Sequence, residues 1–493
     1  MIMNDMKTLY ITDYLERNAQ TNPDKPAIYF KDAMVTYRSL FSMVSVAAAH
    51  VQRKLTESLD SKSVTAQQIV GILLPNSIDF LVAYLGIIHA GHIAMPLDPN
   101  FKPLETKNVL SQIGPQFTIS NDAYKEHFKK DAFTQAASLY VAVSNSSYEP
   151  LRLPPEEMAA TMLFTSGTTG NPKAVPYTHA NHMWNPAAVS KLWQWSTKDT
   201  LLISLPLSHW HGLVMGIDGA LYHCNTIYLQ DWFSAEETSK MLESGKISLF
   251  MHVPIAYQKL VEYADSETID ISGVRLCVSG SSYLPPKLWK KFQQFYGQDI
   301  LERYGANEMG LLSSNTLDER IPGCVGKPLS GVKIRIEDDG QIAMHSPGLF
   351  GGYYNNPEAT KAQQTSDGMW LSGDIAEFDE QGRIHHKGRV QEKMKKFGYT
   401  VSPRDVEWAL EQHPKVKEVA VVSIQKEESL SDEFVYFVVG DISDDEITSF
   451  AKSDMPAFWR PDRIVHIDAI PRTGRTSKPA VKELKQMLIT PSV

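Results

Sequence analysis

The sequence is short of cysteine, of excess positive charge and of long apolar runs. Its three cysteines, Cys224, Cys277 and Cys324, are widely separated among 493 residues and show no metal-ligand spacing. We therefore expect buried free thiols in a reducing compartment, not disulfides or a zinc site. The formal net charge of −9 disfavours nucleic acid or an anionic membrane as the main partner.

Targeting and membrane segments are also lacking. The first seven residues, Met-Ile-Met-Asn-Asp-Met-Lys, contain no basic region followed by an apolar one, so no signal peptide is expected. Uncharged stretches such as residues 201–217 include Pro206, His209 and His211, and none is apolar enough to cross a bilayer. We predict a cytoplasmic protein with no transmembrane segment, and its length predicts more than one domain.

Short apolar runs alternate with helical patterns along the chain. Residues 69–74 and 92–96 are predicted strands, with a helix at 76–91 between them. This order predicts a βαβ unit, and hence a parallel, helix-flanked sheet. Further strands are expected at 27–30, 34–37, 117–119, 139–143, 201–207, 247–252, 274–279, 299–304, 416–424, 434–440 and 463–467, and further helices at 10–19, 39–55, 105–113, 255–263, 286–295, 406–412 and 445–452.

Small and hydroxylated residues follow a predicted strand at residues 162–164. They are Thr165, Ser166, Gly167, Thr168, Thr169, Gly170 and Asn171, followed by Pro172 and Lys173. Glycine lets the backbone approach a phosphate, hydroxyl and N–H groups donate to its oxygens, and Lys173 adds a positive charge. We predict a polyphosphate loop followed by a helix after Thr178. A Walker P-loop fails on spacing, because Pro172 and Ala174 stand where it needs Gly and Ser or Thr.

Residues 165–173 resemble the phosphate loop of the adenylate-forming superfamily, which includes acyl-CoA synthetases, peptide-synthetase adenylation domains and luciferases. The resemblance implies an acid–thiol ligase that uses ATP and Mg²⁺ to form an acyl-AMP, releases pyrophosphate and acylates CoA. Further motifs in the same order extend it over nearly the whole chain. The implied fold is α/β, with a large domain of helix-flanked, mostly parallel sheets at residues 1–389 and a small, mobile α+β domain at residues 390–493.

Two motifs imply the nucleotide contacts. Tyr304 to Glu308 resembles Tyr-Gly-x-Thr-Glu, whose tyrosine stacks on adenine and whose glutamate reaches Mg²⁺; here Asn307 replaces the threonine and can still donate to phosphate. Asp374 resembles the ribose-binding aspartate of Thr-Gly-Asp, with Arg389 as the second ribose ligand. The implied ATP-binding set is Thr165, Ser166, Gly167, Thr168, Thr169, Gly170, Lys173, Ser279, Gly280, Ser281, Arg303, Tyr304, Gly305, Asn307, Glu308, Asp374, Arg389, Lys395 and Lys478.

The C-terminal motifs depart from the family pattern. Residues 471–478 resemble the loop whose lysine enters the active site for adenylation, but Lys478 lies one residue later and follows Ser477, not glycine. Lys478 is the implied adenylation lysine, with Arg475 as the alternative. Gln391 occupies the hinge position, where the family commonly has aspartate or lysine. The implied catalytic residues are Lys478, Lys173, Glu308 and Thr165, and Glu308 is the implied metal ligand.

The implied acyl-binding residues follow three predicted strands. His209 and His211 lie where open α/β sheets bind ligands, and their motif resembles that of small-acid CoA ligases. Ser279 and Arg303 complete the set, and Glu302-Arg303-Tyr304-Gly305 resembles malonyl-CoA synthetases, whose arginine binds a second carboxylate. The alternative pairs Arg303 with a nearby carboxylate such as Glu302. We expect a short dicarboxylic acid such as malonate or methylmalonate, with medium-chain or aryl acids next.

Two other functions remain open on the sequence. One is a stand-alone adenylation enzyme that loads the phosphopantetheine of a carrier protein. The other is a non-catalytic nucleotide-binding regulator, with which the residues at Asn307, Gln391 and Ser477 are compatible. ATP–pyrophosphate exchange separates the regulator from both ligases, and CoA against carrier-protein acylation separates the ligases. We expect a monomer or homodimer whose partners are a small carboxylic acid and CoA, or a carrier protein.

Overall fold

A computed structural model describes residues 9–59, 64–128, 133–141, 150–165, 173–265, 267–390, 394–396, 399–424, 432–473 and 478–488. Its strands are β1 (Pro26–Phe30), β2 (Ala33–Thr36), β3 (Ile69–Ile72), β4 (Ile93–Pro96), β5 (Phe117–Ser120), β6 (Thr134–Gln135), β7 (Ala159–Thr165), β8 (Lys173–Thr178), β9 (Thr200–Ile203), β10 (Thr226–Leu229), β11 (Leu249–His252), β12 (Leu276–Ser279), β13 (Ile300–Ala306), β14 (Gly310–Ser314), β15 (Lys327–Pro328), β16 (Lys333–Ile336), β17 (Gln341–His345), β18 (Trp370–Phe378), β19 (Ile384–Arg389), β20 (Met394–Lys396), β21 (Tyr399–Val401), β22 (Val416–Ile424), β23 (Glu433–Gly440), β24 (Arg463–His466), β25 (Arg472–Thr473) and β26 (Lys478–Pro479).

Helices cover and connect these strands. The α-helices are Ile11–Thr21, Tyr37–Ser58, Ile78–His89, Pro103–Ile113, His179–Val189, Gly219–His223, Ala235–Glu243, Pro254–Ala264, Pro286–Tyr296, Pro357–Lys361, Pro403–Glu411, Asp444–Asp454 and Val481–Met487. Within the described ranges there are also the 3₁₀ helices Asp122–His127, Ala136–Tyr140 and Ala457–Trp459 and the π-helix His211–Asp218. Within the described ranges, every helix is too short or too polar to traverse a lipid bilayer.

Two large sheets form the N-terminal part. The first has the order β15-β14-β13-β12-β11-β9-β10-β1-β2, and its strands from β13 to β1 run parallel to one another. The second has the order β6-β5-β3-β4-β7-β8 and is parallel except for the pair β7–β8. Such sheets are buried on both faces, which is why their strands are nearly continuous apolar runs. The predicted helix-flanked α/β fold is confirmed.

Smaller sheets follow along the chain. Strands β16 to β19 form an antiparallel four-stranded sheet, and β22, β23 and β24 form a three-stranded sheet with its own buried cluster. Helix Pro403–Glu411 contributes Val406 and Leu410 to that cluster. It begins at Ser402, whose hydroxyl accepts the backbone N–H of Arg404, with Pro403 in the first turn. The predicted α+β character of the C-terminal part is thereby confirmed.

One predicted strand is not observed, and several observed strands, including β8, β10 and β14 to β21, were not predicted. The strand expected at residues 139–143 is wrong, because Ala136–Tyr140 forms a 3₁₀ helix that buries Ala136 and Leu139 on one side; residues 142–143 lie outside the described ranges. Strand β8 was not predicted, because Pro176 disfavours a central strand. Proline is tolerated at a sheet edge, and β8 is the edge strand beside β7. The three cysteines are free and buried, as predicted.

Candidate active site

The predicted site residues lie at the ends of β7, β12 and β13 and within β18. The carboxyl ends of the parallel strands β12 and β13 meet at one edge of the first sheet, where open α/β sheets bind ligands, and β7 belongs to the second sheet. Asn307, just after β13, donates its Nδ2 hydrogen to the carbonyl oxygen of Phe164 at 3.1 Å. Gly305 permits the tight turn into β14, since a Cβ at this position would lie 2.2 Å from the Gly310 carbonyl oxygen. The ends of β7 and β13 are therefore linked directly.

The residues predicted to bind adenosine form a hydrogen-bonded group. The Tyr304 hydroxyl donates to Asp374 Oδ2 at 2.6 Å, and Arg389 Nε lies 3.2 Å from Asp374 Oδ1. Asp374 is 4% exposed, and His386 Nε2 lies 3.6 Å from its Oδ1. Burial would raise the pKa of Asp374, but the contacts with His386, Arg389 and Tyr304 outweigh burial and hold it well below its usual range. Asp374 is thus an ionised carboxylate at neutral pH.

One oxygen of this carboxylate is available to a ligand. Asp374 Oδ1 is buried and makes no hydrogen bond of good geometry to any residue the structure describes, although Arg389 lies beside it. Gly373, at φ 76°, turns the chain just before it. Buried acceptors are normally satisfied, so Oδ1 is the oxygen of Asp374 that could accept a further donor, as predicted for the ribose hydroxyls.

The phosphate side is framed by β7 and β8. Thr165 ends β7, Lys173 begins β8, and the two residues are directly paired. The predicted loop residues Ser166, Gly167, Thr168, Thr169 and Gly170 lie outside the described ranges. Lys173 Nζ lies 4.7 Å from the centre of the Tyr353 ring, and the Tyr353 hydroxyl donates to Glu308 Oε1 at 3.0 Å. The structure therefore brings the predicted phosphate lysine and the predicted metal ligand into contact with one tyrosine.

The donor set suits Mg²⁺ held jointly with a nucleotide. No group of three or more His, Cys, Asp or Glu side chains able to hold a metal occurs in the described ranges. Mg²⁺ keeps several waters and is commonly bound by one or two carboxylates plus substrate phosphates. Glu308 supplies one such carboxylate beside Lys173, so the residues present fit a metal that arrives with ATP.

Arg303 is the central residue of the predicted acyl side. It is 3% exposed, and its guanidinium lies flat on Gly280, where a Cβ would be only 2.5 Å away. The Trp210 ring centre lies 5.7 Å from its Cζ. Burial lowers the pKa of Arg303 to about 9, so the guanidinium remains charged at neutral pH. Its Nε and Nη2 atoms have no hydrogen-bond partner among the described residues. Buried cations are normally paired with an anion, and no described residue forms an ion pair with Arg303.

The alternative pairing of Arg303 with Glu302 is wrong. Glu302 Oε1 accepts the Gly323 N–H at 2.7 Å, and burial raises the pKa of Glu302 to about 8, so this side chain is mainly protonated at neutral pH. Residue 302 is the β13 partner of Ser279 in β12. Because successive side chains of a strand point to opposite faces, Arg303 lies on the other face.

The two predicted histidines occupy different environments. His211 is buried, its Nδ1 lies 3.5 Å from Ser281 Oγ, and its Nε2 is unpartnered in the part of the chain that is described. Burial, then the charge of Arg303, hold its pKa well below the usual value, so His211 is neutral. His209 is a third exposed and has its Nε2 3.4 Å from Asp98 Oδ2. Only His211 therefore stands with Arg303, Ser281 and Ser279, whose Oγ is also unpartnered.

Four further predicted residues lie wholly or partly outside the described ranges. Lys395 lies in β20 and Lys478 lies in β26, where Lys478 pairs with Thr473. Their side chains lie outside what the structure describes, as do Gln391 and Arg475 altogether. Neighbouring Lys396 has an internal role, because its Nζ donates to Asp462 Oδ2 at 2.6 Å and to the Arg460 carbonyl oxygen.

Sequence reasoning missed two residues of this region. His252 ends β11, between β9 and β12, and its Nδ1 accepts the Val253 N–H while its Nε2 has no partner in the described ranges. The rule that ligands bind beyond the ends of parallel strands would have indicated it. Tyr353 was not among the predicted site residues, and no sequence pattern links it to Glu308, 45 residues away.

Comparisons with known proteins agree with these observations. A family model described as AMP-binding enzyme matches residues 15–354, and one described as AMP-binding enzyme C-terminal domain matches residues 405–476. A probable CoA ligase, CCL8 of Humulus lupulus, is 30% identical over 85% of this chain and 79% of its own length. The mitochondrial malonate–CoA ligase ACSF3 of Mus musculus is 28% identical over 94% and 89% of the two lengths. The crystal structure of ATP-bound MatB from Rhodopseudomonas palustris superimposes with a TM-score of 0.87 at 23% identity, covering 97% of this chain and 99% of that one.

Proposed function

This chain belongs to the AMP-binding enzyme family, and on that premise we propose that it converts a short dicarboxylic acid into its CoA thioester. The general reaction is that of an AMP-forming acid–thiol ligase, which activates a carboxylic acid with ATP and then acylates CoA. The acid is proposed to be malonate, methylmalonate or another of similar size. One relative, the mitochondrial ACSF3 of Mus musculus, is a malonate–CoA ligase by name, which supports this choice of acid.

The chemistry requires an activated acid. A carboxylate cannot acylate a thiol directly, because oxide is a very poor leaving group. Attack of the carboxylate on the α-phosphorus of ATP forms an acyl-AMP and releases pyrophosphate, and AMP then leaves readily when the thiol attacks. Negative charge grows on the phosphoryl oxygens in the first step, so positive charges and oriented donors supply most of the catalysis.

We assign the described residues to this step by position. Lys173 and Thr165 frame the phosphates, and Glu308 holds Mg²⁺, which neutralises phosphate charge when bound. Asp374 and Arg389 take the ribose, and the Tyr304 ring lies beside them for adenine. Lys478 is proposed as the lysine of the adenylation step.

The observation that carries the choice of acid is the unpaired Arg303. A monocarboxylic acid, once its only carboxylate is activated, would leave this buried guanidinium without an anion. A second carboxylate would accept from Nε and Nη2, the two nitrogen atoms that lack a partner. His211 and Ser281 lie beside it as neutral polar groups that restrict the length of the acid.

The domain boundary, the hinge, the cellular location, the oligomeric state and the acyl acceptor are also proposals. We place the division at residues 389/390. Across it, the Arg404 guanidinium lies over the Tyr283 ring at 3.3 Å and Lys287 Nζ donates to the Val416 carbonyl oxygen at 2.8 Å. Gln391 is the proposed hinge. We also propose a cytoplasmic monomer or homodimer, with free CoA in preference to a carrier protein as the acyl acceptor.

Pyrophosphate release and ATP–pyrophosphate exchange with a panel of acids test this function. The panel comprises malonate, methylmalonate, succinate, propionate, octanoate and benzoate, each with and without CoA, and mass spectrometry identifies the thioester. We expect exchange with malonate or methylmalonate, and thioester only when CoA is added. Exchange without CoA acylation, but with loading of a phosphopantetheinylated carrier protein, would establish the carrier-loading alternative. A failure of every acid to support exchange would instead support a nucleotide-binding regulator.

A further inference from the structure

The segment of residues 350–354 connects the two predicted phosphate-binding groups. The Phe350 N–H donates to the Glu308 carbonyl oxygen at 3.0 Å, and the Tyr354 N–H donates to the Ala174 carbonyl oxygen at 3.0 Å. Ala174 follows Lys173 in β8. The backbone on either side of Tyr353 is thus hydrogen-bonded to Glu308 at one end and to the neighbour of Lys173 at the other.

The Tyr353 side chain contacts both predicted groups. Its hydroxyl donates to Glu308 Oε1 at 3.0 Å, and its ring centre lies 4.7 Å from Lys173 Nζ. A tyrosine hydroxyl is protonated at neutral pH, so it is the donor of this bond and the carboxylate is the acceptor. One side chain therefore has a directional bond to a carboxylate and a cation–π contact with an ammonium group.

The Tyr353 ring packs against other aromatic side chains, and its backbone is hydrogen-bonded. Tyr353 is 9% exposed, and its ring packs edge-on against Phe350 at 5.1 Å and Trp370 at 5.7 Å. Its backbone N–H donates to Thr360 Oγ1 at 2.9 Å, and Gly352 precedes it at φ 129°. An aromatic core residue would need only these packing contacts. The hydroxyl bond to Glu308 and the position under Lys173 add nothing to apolar packing.

We propose that Tyr353 is a positioning residue for adenylation: its hydroxyl fixes the Glu308 carboxylate for Mg²⁺, and its ring fixes the Lys173 ammonium for the phosphates. The proposal rests on the functions proposed above for Glu308 and Lys173. It predicts that the two effects are separable, because different parts of one side chain produce them.

Two substitutions separate the hydroxyl from the ring. Tyr353→Phe removes the hydroxyl but keeps the ring over Lys173 and its packing against Phe350 and Trp370. Tyr353→Leu removes the ring as well. Tyr354→Phe is the matched control, since it deletes the adjacent tyrosine hydroxyl, which hydrogen-bonds to neither Lys173 nor Glu308 in the described ranges.

Calorimetric titration with ATP, in EDTA and at graded Mg²⁺ concentrations, gives a readout that is independent of turnover. For Tyr353→Phe we expect unchanged affinity for ATP in EDTA and an apparent Mg²⁺ requirement raised about two- to tenfold, the range for one lost hydrogen bond. For Tyr353→Leu we expect, in addition, ATP affinity in EDTA lowered about two- to fivefold, the range for one cation–π contact. Tyr354→Phe should match the wild type in both media.

Glu308→Gln distinguishes failure of this proposal from failure of the proposed function. If Glu308→Gln raises the Mg²⁺ requirement and Tyr353→Phe does not, Tyr353 is only a packing residue and the ligase function stands. If neither substitution changes it, the metal role of Glu308 and the positioning role of Tyr353 are both wrong. If no acid supports pyrophosphate exchange in the wild type, the ligase function fails, while the titrations still decide whether Tyr353 positions the two groups.

Discussion

Arg303 offers the sharpest test of the proposed substrate. Replacing it with Met removes the charge and the donors but keeps an unbranched side chain over Gly280. Replacing it with Lys keeps a charge but loses the planar fork of N–H donors. We expect Arg303→Met to lose nearly all preference for dicarboxylic acids and Arg303→Lys to be intermediate.

The magnitude follows from the burial of Arg303. Its guanidinium is 3% exposed, with Nε and Nη2 both unpartnered in the described ranges. A second carboxylate bound there would be left buried and unpaired by Arg303→Met. Truncating one partner of such a pair costs about 2–5 kcal/mol, which is a factor of about thirty to several thousand in kcat/KM. A monocarboxylic acid makes no such pair, so its use should change by less than about fivefold on the same reasoning.

The assay compares kcat/KM for malonate and propionate, which have the same chain length, in the wild type and both variants. Dividing kcat/KM for malonate by kcat/KM for propionate cancels any loss of activity that affects both acids equally. Arg303→Met should also unfold at no lower temperature than the wild type, because it removes a buried, unpaired charge. Thermal unfolding of the unliganded protein therefore serves as the folding control.

Two results would refute the reasoning. An unchanged malonate-to-propionate ratio in Arg303→Met would show that Arg303 does not contact the second carboxylate. A wild type that uses octanoate or benzoate well and ignores malonate would show that the acid is not dicarboxylic, whatever the variants do. In the second case, the unpaired guanidinium would need another anionic partner, such as a phosphate of the nucleotide.

Three further predictions concern other residues. Lys478→Ala should abolish ATP–pyrophosphate exchange yet form thioester from supplied acyl-AMP, and full exchange would transfer the adenylation role to Arg475. Asp374→Ala should raise the KM for ATP, since each hydrogen bond to a charged group contributes about 1.5–3 kcal/mol; an unchanged KM in folded protein would leave Asp374 a turn residue. Burial lowers the pKa of His252 to about 3, below the unfolded value, so its contribution to stability falls as the pH drops below about 6.5. Denaturant unfolding should then show that the difference in free energy of unfolding between the wild type and His252→Gln changes by about 1.4 kcal/mol between pH 7.5 and 5.5, with the wild type losing stability relative to the variant at the lower pH. A difference that does not change with pH would contradict this.

The sheets and the grouping of the nucleotide residues could be predicted because both follow from local sequence. Continuous apolar runs such as β3 and β12 mark strands buried on both faces, and polar residues at their ends mark the ligand side. The resemblance in residues 165–173 and 303–308 added chemical roles to these positions. The structure brings Tyr304, Asp374 and Arg389 into one hydrogen-bonded group, as expected of a shared site.

Contacts that depend on tertiary context could not be predicted. The sequence left a pairing of Arg303 with Glu302 open, because it could not show that Glu302 accepts the Gly323 N–H and that Nε and Nη2 of Arg303 have no partner among the described residues. Strand β8 contains Pro176, and proline is tolerated mainly in strands at a sheet edge. The sequence alone could not show that β8 is an edge strand. The pairing of Tyr353 with Glu308 depends on how two loops cross, which no periodicity encodes.

The direct pairing of Thr165 with Lys173 has a consequence for the entropy of ATP binding. The seven residues between them connect two ends that the antiparallel ladder holds about 5 Å apart, as in any such pair. Folding of the sheet therefore closes this loop before any nucleotide arrives, and binding does not have to bring its ends together. Because doubling the length of a closed loop costs only about 0.6 kcal/mol, one or two residues could be inserted at little cost to folding. If this segment binds phosphate as proposed, the tolerance to such insertions would be limited by those contacts and not by the cost of closing the loop.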